Sequence, residues 1–354
     1  MEKKLDHISE LHEGDILAGG IINTSGGLVI PQNTIINKKQ KMKLRIMDVR
    51  NVRVYRNLAA VSDASSRVHR FKYFNKELFK TEYCENVKNI KQIIKELATG
   101  KDLDIEKVKI VTESVFSQTK NYHQIINCMN ELRNSDEYTY RHCHNVALYG
   151  MMIGNWLKLS NGKIKELIQA GILHDVGKSR VPIKLLNKKG RLLPEEFSEI
   201  KNHINYGYNI VKNFNEISED VKLAVLMHHE REDGSGYPYG VKGELICSYA
   251  KIIAIADVYD ALLSDRAYRE RVSPFHVFKM YESTWLSSFD TKIVMTFLDN
   301  IYKYYIGCNV ILSSGEIGEV VHIPPHKIYM PVVRVNSKLI DLTKDHGIEI
   351  LKIL

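Results

Sequence analysis

The sequence predicts a mainly α-helical protein with a small β-rich region at each end of the chain. The long middle section, residues 71–303, spaces its apolar side chains three and four positions apart, which is the period of amphipathic helices. Residues 1–57 and 306–354 instead contain short β-rich runs separated by glycine, asparagine or serine, which is typical of small sheets. The 354 residues are enough for two or three domains.

Four regions follow from these patterns. We predict a β-rich N-terminal region over 1–57, whose regulatory role is left open, and a helical connector over 71–134. A strongly helical domain covers 135–303, and a small β-rich extension covers 306–354. The N-terminal region also contains a lysine-rich stretch with helical character near 38–48.

Individual elements can be assigned by the same reasoning. In the connector, helical spacing is carried by Val87, Ile90, Ile94 and Leu97, and then by Val108, Val111 and Val115. The segment Thr99–Asp102 separates these two helices, because its glycine and polar residues break the pattern. In the C-terminal extension, Val310–Leu312 and Val332–Val335 predict strands.

Composition excludes several classes of protein. Hydrophobic residues make up 44% and charged residues 26%, as in globular rather than disordered chains. No uncharged apolar run reaches the roughly 18–20 residues of a membrane-spanning helix, and the first residues lack the apolar core of a signal peptide. The five cysteines are scattered without a CxxC pair, which argues against a disulfide framework and a cysteine zinc finger. We therefore expect a cytoplasmic protein without a membrane partner.

The net charge of +8 would favour an anionic partner. The lysines, however, are spread along the chain instead of forming a cluster. A solvated lysine-rich surface is the simpler interpretation, and we expect no nucleic-acid partner.

Histidines and aspartates recur on the apolar helix faces of residues 135–303. His174 and Asp175 end a helix whose buried face includes Ile164, Leu167 and Ile168. The successive groups lie about 25–32 residues apart, as expected if consecutive antiparallel helices each direct ligands into a bundle core. The set is His142, His174, Asp175, His203, His228, His229 and Asp257. Imidazole and carboxylate together suit iron, manganese or zinc.

Each histidine also has a simpler interpretation, since a single histidine on an apolar face is usually a hydrogen-bonded core residue. Six other histidines keep that interpretation as surface or core residues: His69, His123, His276, His322, His326 and His346. Burying the whole set of seven ligands without a metal would leave many polar groups to be satisfied one by one. The pattern therefore favours a metal centre.

Four ordered motifs closely resemble the HD-GYP subgroup of the HD phosphohydrolase superfamily. The first is His174-Asp175 followed by Gly177-Lys178, and the second runs from His228 to Pro238 and contains Gly236-Tyr237-Pro238. The third and fourth are the segments 255–262 and 264–269. The resemblance covers roughly residues 135–303, close to half of the chain. It implies an HD-type helical bundle with a dinuclear metal core.

The resemblance also implies an activity. Members of this family are metal-dependent phosphodiesterases that hydrolyse cyclic di-GMP, a bacterial second messenger, to linear pGpG and in some cases to GMP. The family pattern assigns His142, His174, Asp175 and Asp257 to one metal, and it assigns His203, His228 and His229 to the second. Asp175 would bridge the two ions.

Two such cations would lower the pKa of a shared water, and the resulting hydroxide would attack phosphorus in line. We expect Lys178 to supply a positive charge to the scissile phosphate. The alternative for this residue is a solvated lysine at a helix C-terminus. Asp175 and Lys178 are thus the predicted catalytic residues, and the two ions are expected to be iron or manganese, with zinc as an alternative.

The sequence departs from some family members at one position. Those members carry a glutamate four residues before the first histidine, where it helps to hold a third metal. Tyr138 occupies this position here, and the adjacent Glu137 is rotated by about 100° on a helix. We therefore favour two metals over three, with Tyr138 as a packing aromatic beside the site.

Three residues are predicted to bind substrate. The resemblance places Tyr237 in a loop at the mouth of the site, where it can contact a nucleotide. Arg266 and Arg269 follow Asp257 by nine and twelve positions, and guanidinium groups suit phosphate and the guanine edge. The alternative is that both arginines form surface ion pairs. Asp233 and Asp260 are expected to order the groups around the site.

Other functions remain open from the sequence. The enzyme could hydrolyse a different cyclic dinucleotide, because the metal core would be the same. A catalytically inactive receptor for the dinucleotide, or a protein-interaction module, is the alternative from another class. Protein partners and a homo-oligomer are likewise left open.

Overall fold

The computed structural model divides the chain into two units, residues 1–72 and 73–354. In the first unit it describes residues 4–7, 11, 15–22, 28–31, 34, 36–37, 40–42, 44, 49 and 51–55. In the second unit it describes residues 75–118, 122–132, 138–188, 190–264, 271–345 and 347–354.

The first unit contains two small antiparallel sheets. Its strands are β1 (Lys4–His7), β2 (Ile16–Leu17), β3 (Ile21–Ile22), β4 (Leu28–Ile30) and β5 (Asn51–Tyr55). The order β1–β5–β2 forms one sheet, and β3 pairs with β4 in the other. Leu17 and Val54 are fully buried in a small core of their own. Of the predicted helical stretch near 38–48, residues 40–42 and 44 are helical, and most of the others lie outside the described residues.

The second unit is mainly helical. Its described helices are α1 (Lys76–Ala98), α2 (Ile105–Phe116), α3 (Tyr122–Glu131), α4 (Tyr138–Trp156), α5 (Asn161–Leu173), α6 (Ile183–Leu186), α7 (Pro194–Lys201), α8 (His203–Val211), α9 (Glu219–Met227), α10 (Ser248–Leu263), α11 (Pro274–Ser283) and α12 (Thr291–Ile301). A short 3₁₀ helix, Val176–Arg180, lies between α5 and α6. The predicted fold class is thereby confirmed.

Capping residues and a glycine turn explain where the first two helices begin and where the first of them ends. Asn75 caps α1 by accepting hydrogen bonds from two backbone amides at 3.1 Å. After α1 the chain turns at Gly100, whose φ of 89° favours glycine, and Asp104 caps α2. All seven apolar side chains of the predicted connector stripes are buried. The two-helix prediction is therefore confirmed.

Helix α4 runs through the middle of the core and is buried from Arg141 to Gly154. It packs very closely on α5, because a Cβ atom at Gly171 would lie 2.5 Å from the Cα of Ala147. Helix α10 packs on another side of α4, where Gly150 faces Ile253. These close approaches bring polar residues of three helices to one place in the core.

The C-terminal residues form a five-stranded antiparallel sheet. Its strands are β6 (Asn309–Leu312), β7 (Ile317–His322), β8 (Val332–Val335), β9 (Lys338–Asp341) and β10 (Ile350–Ile353), in the order β10–β6–β7–β8–β9. The inward side chains, such as Val310 and Leu312, join the core of the helical bundle. Among the described residues, none of the helices combines the length and the apolar character needed to cross a membrane. The four-region division, like the cytoplasmic location, stays a prediction.

Candidate metal centre

The His174–Asp175 pair lies where α5 gives way to the 3₁₀ helix. His174 is the C-cap of α5, and both side chains are buried. Two residues later, Gly177 crosses the start of α8 so closely that a Cβ would lie 1.8 Å from the carbonyl oxygen of His203. Only glycine fits this crossing. The close crossing of the two segments places the Nε2 atom of His203 3.4 Å from Oδ1 of Asp175.

Three of the predicted ligands share one local arrangement. In His174, His203 and His228, Nδ1 donates a hydrogen bond to the backbone carbonyl three residues earlier. The acceptors are Gly171, Ile200 and Val225, at 2.8, 2.6 and 3.0 Å. A carbonyl oxygen can only accept, so Nδ1 carries the proton in each ring. In the neutral form of each ring, the Nε2 atom is therefore left with a free lone pair.

These lone pairs have nothing to bind among the described residues. The Nε2 atoms of all three histidines, together with Oδ1 of Asp175, are buried without a hydrogen-bond partner there. A buried polar atom without a partner costs on the order of 1–3 kcal/mol, and such atoms are rare in native proteins. Several unpartnered lone pairs that converge in one place fit a divalent cation well.

The potential ligand atoms form two groups. In each group, the potential ligand atoms all lie within 4.8 Å of one another. The first group is His142, His174 and Asp175. The second group is His203, His228 and His229. Asp257 lies between the groups, with Oδ1 3.0 Å from Nε2 of His142 and Oδ2 3.8 Å from Nδ1 of His229. The structure thus brings together all seven predicted metal ligands.

His142 is oriented by a carboxylate instead of a carbonyl. Its Nδ1 donates to Oδ2 of Asp260 at 2.8 Å, and Oδ1 of Asp260 accepts from the Asn145 amide at 2.9 Å. The amide oxygen of Asn145 in turn accepts from the Tyr83 hydroxyl at 2.8 Å. All four side chains are nearly fully buried. This chain of hydrogen bonds fixes the ring so that Nε2 faces the cluster.

The sequence predicts a supporting role for Asp260, whereas those of Asn145 and Tyr83 appear only in the structure. Asn145 lies three positions after His142 on α4 and therefore shares its face, which is a signal that could have been used. Tyr83 lies on α1, in a different predicted region, and no sequence pattern connects it to the site.

Electrostatics keep most of the cluster in the form that binds metal. Burial lowers the pKa of His203 to about 4 and that of His228 to about 3, and it lowers the pKa of His229 as well. Burial raises the pKa of Asp175, but the Lys178 ammonium and His174 outweigh it, so that the carboxyl pKa falls well below its ordinary value. His203, His228 and His229 are therefore neutral and Asp175 is ionised at neutral pH, as metal coordination requires.

His142 differs from the other histidines. Burial alone would lower its pKa, but hydrogen bonds to Asp257 and Asp260 raise the pKa to about 9. The same contact with His142 outweighs burial at Asp257 and holds the pKa of that carboxyl well below its ordinary value.

The predicted catalytic lysine contacts the cluster directly. Nζ of Lys178 lies 2.5 Å from Oδ2 of Asp175, and about a quarter of the lysine side chain remains exposed. The ammonium group therefore borders both the buried carboxylate and solvent. It can reach a phosphate that approaches the cluster from outside.

Two aromatic rings cover the cluster. Tyr138 stacks on His142 with ring centroids 5.4 Å apart, and Tyr237 stacks on His229 with centroids 4.7 Å apart. Tyr138 thus packs beside the site, as predicted for this aromatic. Arg266 and Arg269 lie outside the described residues.

Backbone contacts hold the Tyr237 loop against the cluster. The Tyr237 amide donates to the carbonyl of His229 at 3.2 Å, and Glu230 accepts from the Tyr239 amide at 2.8 Å. A Cβ at Gly236 would lie 2.5 Å from backbone atoms of residues 229–231, so only glycine allows this approach. Asp233 accepts from the Ser235 amide and orders the turn of the loop.

The structure adds two residues at the mouth of the site that sequence analysis missed. Nζ of Lys201 lies 4.7 Å from the centroid of the Tyr237 ring and 4.7 Å from that of Phe197. Both new residues belong to α7, which ends two positions before His203. Nothing in their local sequence marked them as part of the site.

The chain is similar to HD domain proteins, including proteins named cyclic di-GMP phosphodiesterases. The HD domain family matches residues 127–293. A cyclic di-GMP phosphodiesterase from Pseudomonas aeruginosa, PA4108, is 31% identical over 67% of this chain and 57% of its own length. One from Thermotoga maritima is 35% identical over 49% of this chain and 47% of its own length. The chain thus spans about half the length of these curated relatives.

Two further similarities bear on specificity and fold. A protein named 3'3'-cGAMP-specific phosphodiesterase 2, from Vibrio cholerae, is 33% identical over 41% of this chain and 28% of its own length. Among solved structures, a HDG"Y"P protein from Bdellovibrio bacteriovorus aligns over 85% of this chain and 100% of its own, with a TM-score of 0.54. At 14% identity, this structural likeness shows a shared fold.

Proposed function

We propose that this chain, which matches the HD domain family over residues 127–293 and resembles HD-GYP proteins in its motifs, is a metal-dependent phosphodiesterase that hydrolyses cyclic di-GMP. One observation carries the proposal: buried, unpartnered Nε2 atoms of His174, His203 and His228 converge beside an ionised, buried Asp175. The names of the relatives support the choice of substrate.

We propose two divalent ions, iron or manganese, with zinc as the alternative. His142, His174, Asp175 and Asp257 would hold one ion, His203, His228 and His229 would hold the other, and Asp175 would contact both. Bound divalent ions supply Lewis-acid stabilisation of phosphate charge and lower the pKa of water to near neutrality. The neutral imidazoles of His203, His228 and His229 and the ionised carboxylate of Asp175 can bind an ion without releasing a proton, whereas His142 would release one.

The residues around the cluster have separate tasks in this mechanism. Lys178 donates hydrogen bonds to a non-bridging oxygen of the scissile phosphate and stabilises the charge that develops there. Tyr237, whose hydroxyl pKa is raised by burial and so stays protonated, borders the substrate at the mouth. Water addition across one P–O bond opens the ring to linear pGpG, and a second hydrolysis gives GMP.

A second candidate substrate is 3'3'-cGAMP, because one of the relatives carries that name. Both dinucleotides present the same phosphodiester to the cluster. The choice between them depends on groups that contact the bases, such as the predicted Arg266 and Arg269. A catalytically inactive dinucleotide receptor is disfavoured by the complete ligand set.

The test is an assay of metal-loaded protein against a panel of cyclic dinucleotides. The protein is loaded anaerobically with iron, manganese or zinc, and products are identified by chromatography. We expect cyclic di-GMP to be converted to pGpG with at least one metal. Tight binding of the dinucleotide without turnover for every metal would instead support the receptor, and faster turnover of 3'3'-cGAMP would support the second candidate.

A further inference from the structure

A line of ring and cation contacts leads outward from the metal centre. It starts at the ring of His229, continues through the stacked Tyr237, and reaches Nζ of Lys201 at 4.7 Å from the Tyr237 centroid. The centroid of the Phe197 ring also lies 4.7 Å from this ammonium group. We propose that Lys201 and Phe197 form a subsite that binds the second phosphate and one purine base of a cyclic dinucleotide.

The charge of Lys201 is available for such a ligand. Within the described part of the chain, no carboxylate lies within 4 Å of its ammonium group, whereas many other lysines, such as Lys178 and Lys188, are paired. The two aromatic faces hold the cation in place without using up its hydrogen bonds, because a ring face attracts the charge but accepts no full hydrogen bond. Lys201 is partly exposed, so an anion can accept hydrogen bonds from its ammonium group.

Phe197 supplies a surface for a base. The residue is 48% exposed, which leaves much of its ring in contact with solvent. Aromatic rings next to a cation are the usual platform on which nucleic-acid bases stack while the phosphate contacts the charge. Because Phe197 lies four positions before Lys201 on α7, both side chains face the same side of that helix.

The chemistry of the substrate requires a subsite of this kind. A cyclic dinucleotide has two phosphodiesters, and only one of them can be at the metal ions and Lys178 during a hydrolytic step. The second negative charge lies across the ring, where a further cation near the mouth would stabilise it. Lys201 is placed there by the end of α7, directly before the ligand His203 on α8.

This inference rests on the proposed function, and its test separates the two. Wild-type protein and Lys201→Gln are assayed on cyclic di-GMP and on bis(p-nitrophenyl) phosphate, which has one phosphodiester and no second charge. We expect Lys201→Gln to raise KM for cyclic di-GMP by about tenfold, the usual cost of a lost hydrogen bond to a charged group. Its kcat should stay unchanged, because the contact is the same in the ground and transition states. Both constants for the one-phosphate substrate should also stay unchanged.

Lys212→Gln is the matched control. The substitution removes the same charge, but Lys212 is exposed and contacts Asn209 instead of Tyr237. It should leave all four constants as in the wild type. Phe197→Leu should raise KM for cyclic di-GMP several-fold while leaving the one-phosphate substrate unaffected.

Either of two kinetic results would overturn the inference. An unchanged KM for cyclic di-GMP in Lys201→Gln would show that the lysine does not contact the substrate. A lower kcat on both substrates would show that it only supports Tyr237 and His229. If wild-type protein cleaves the one-phosphate substrate but not cyclic di-GMP, the proposed function fails instead. Calorimetric titration of cyclic di-GMP into metal-free protein then tests the subsite alone, and equal affinity of wild type and Lys201→Gln would refute it.

Discussion

At the scale of single residues, the site depends on which nitrogen of each histidine faces the cluster. Backbone carbonyls hold Nδ1 of His174, His203 and His228, whereas a carboxylate holds Nδ1 of His142. In every case Nε2 faces the cluster. Because the carbonyl acceptors belong to the same turn of chain as the ring, these three orientations are set locally, and only His142 depends on a distant partner.

Asp175→Ala should abolish phosphodiesterase activity and remove more bound metal than His174→Ala. The reason is that Asp175 has one oxygen beside His203 and the other beside His142, so its loss affects both groups of ligands. Metal content and turnover should be measured on the same preparations. Full metal content together with full activity in Asp175→Ala would show that the site has been assigned wrongly.

Tyr83→Phe should weaken metal binding by about 10–100-fold, as is common when a group that orients a ligand is lost. The substitution leaves the amide oxygen of Asn145 without its hydroxyl partner and so loosens Asp260 and His142. Affinity can be measured by titration with Mn²⁺.

The control for Tyr83→Phe is Tyr305→Phe, which removes a buried hydrogen bond of 2.7 Å to Tyr259. It should cost stability without changing Mn²⁺ affinity. If both variants bind Mn²⁺ equally well, the hydrogen-bond chain from α1 does not position His142.

At the scale of secondary-structure elements, glycines set how closely the helices approach. Gly171 allows α4 to contact α5, and Gly177 allows the 3₁₀ helix to cross the start of α8. The first contact brings His142 near His174, and the second brings His203 near Asp175. The ligand geometry is therefore a consequence of backbone contacts that any larger residue would prevent.

Gly177→Ala should separate α8 from Asp175 and reduce metal binding, because its Cβ would clash with the backbone of His203 at 1.8 Å. Gly162→Ala, in the first turn of α5, meets nothing within 4 Å and should stabilise the protein by up to about 1 kcal/mol. Thermal unfolding and metal analysis of both variants check this prediction. A Gly177→Ala protein with normal metal content would contradict it.

At the scale of the whole molecule, many polar groups are buried in the bundle. His144 is one that lies outside the ligand set, and it accepts a hydrogen bond from Asn86 at 3.2 Å. Burial lowers its pKa from 6.5 to about 3. The unfolded chain therefore binds a proton below pH 6.5 that the folded chain does not bind until about pH 3, and stability is lost as the pH falls through this window.

His144→Gln should reduce this acid sensitivity, because a glutamine does not titrate and can still accept from Asn86. The titration of His144 should lower the free energy of unfolding of the wild type by about 2 kcal/mol at pH 5 relative to pH 7.5. Denaturant unfolding of metal-free protein at both pH values should show a smaller difference in the variant. The exposed His276→Gln is the control and should behave as the wild type does. An equal loss in all three proteins would show that His144 is not responsible.

The sequence by itself determined the fold class, the connector helices and the candidate metal ligands. Apolar periodicity depends only on which residues share a helix face, and the ligands recur at intervals that match antiparallel helices. The role of each ligand stays a prediction, although the structure brings all seven together. The resemblance to HD-GYP proteins can also be found from the sequence, because each of its motifs is a short run of neighbouring residues.

Only the tertiary structure decided which distant side chains support the site. Tyr83 meets Asn145 across 62 positions of chain, and Asn145 meets Asp260 across 115. Lys201 meets Tyr237 because the end of α7 and the loop after α9 approach each other. Such contacts depend on how closely whole helices pack, here through glycines, and no local pattern of residues encodes that distance.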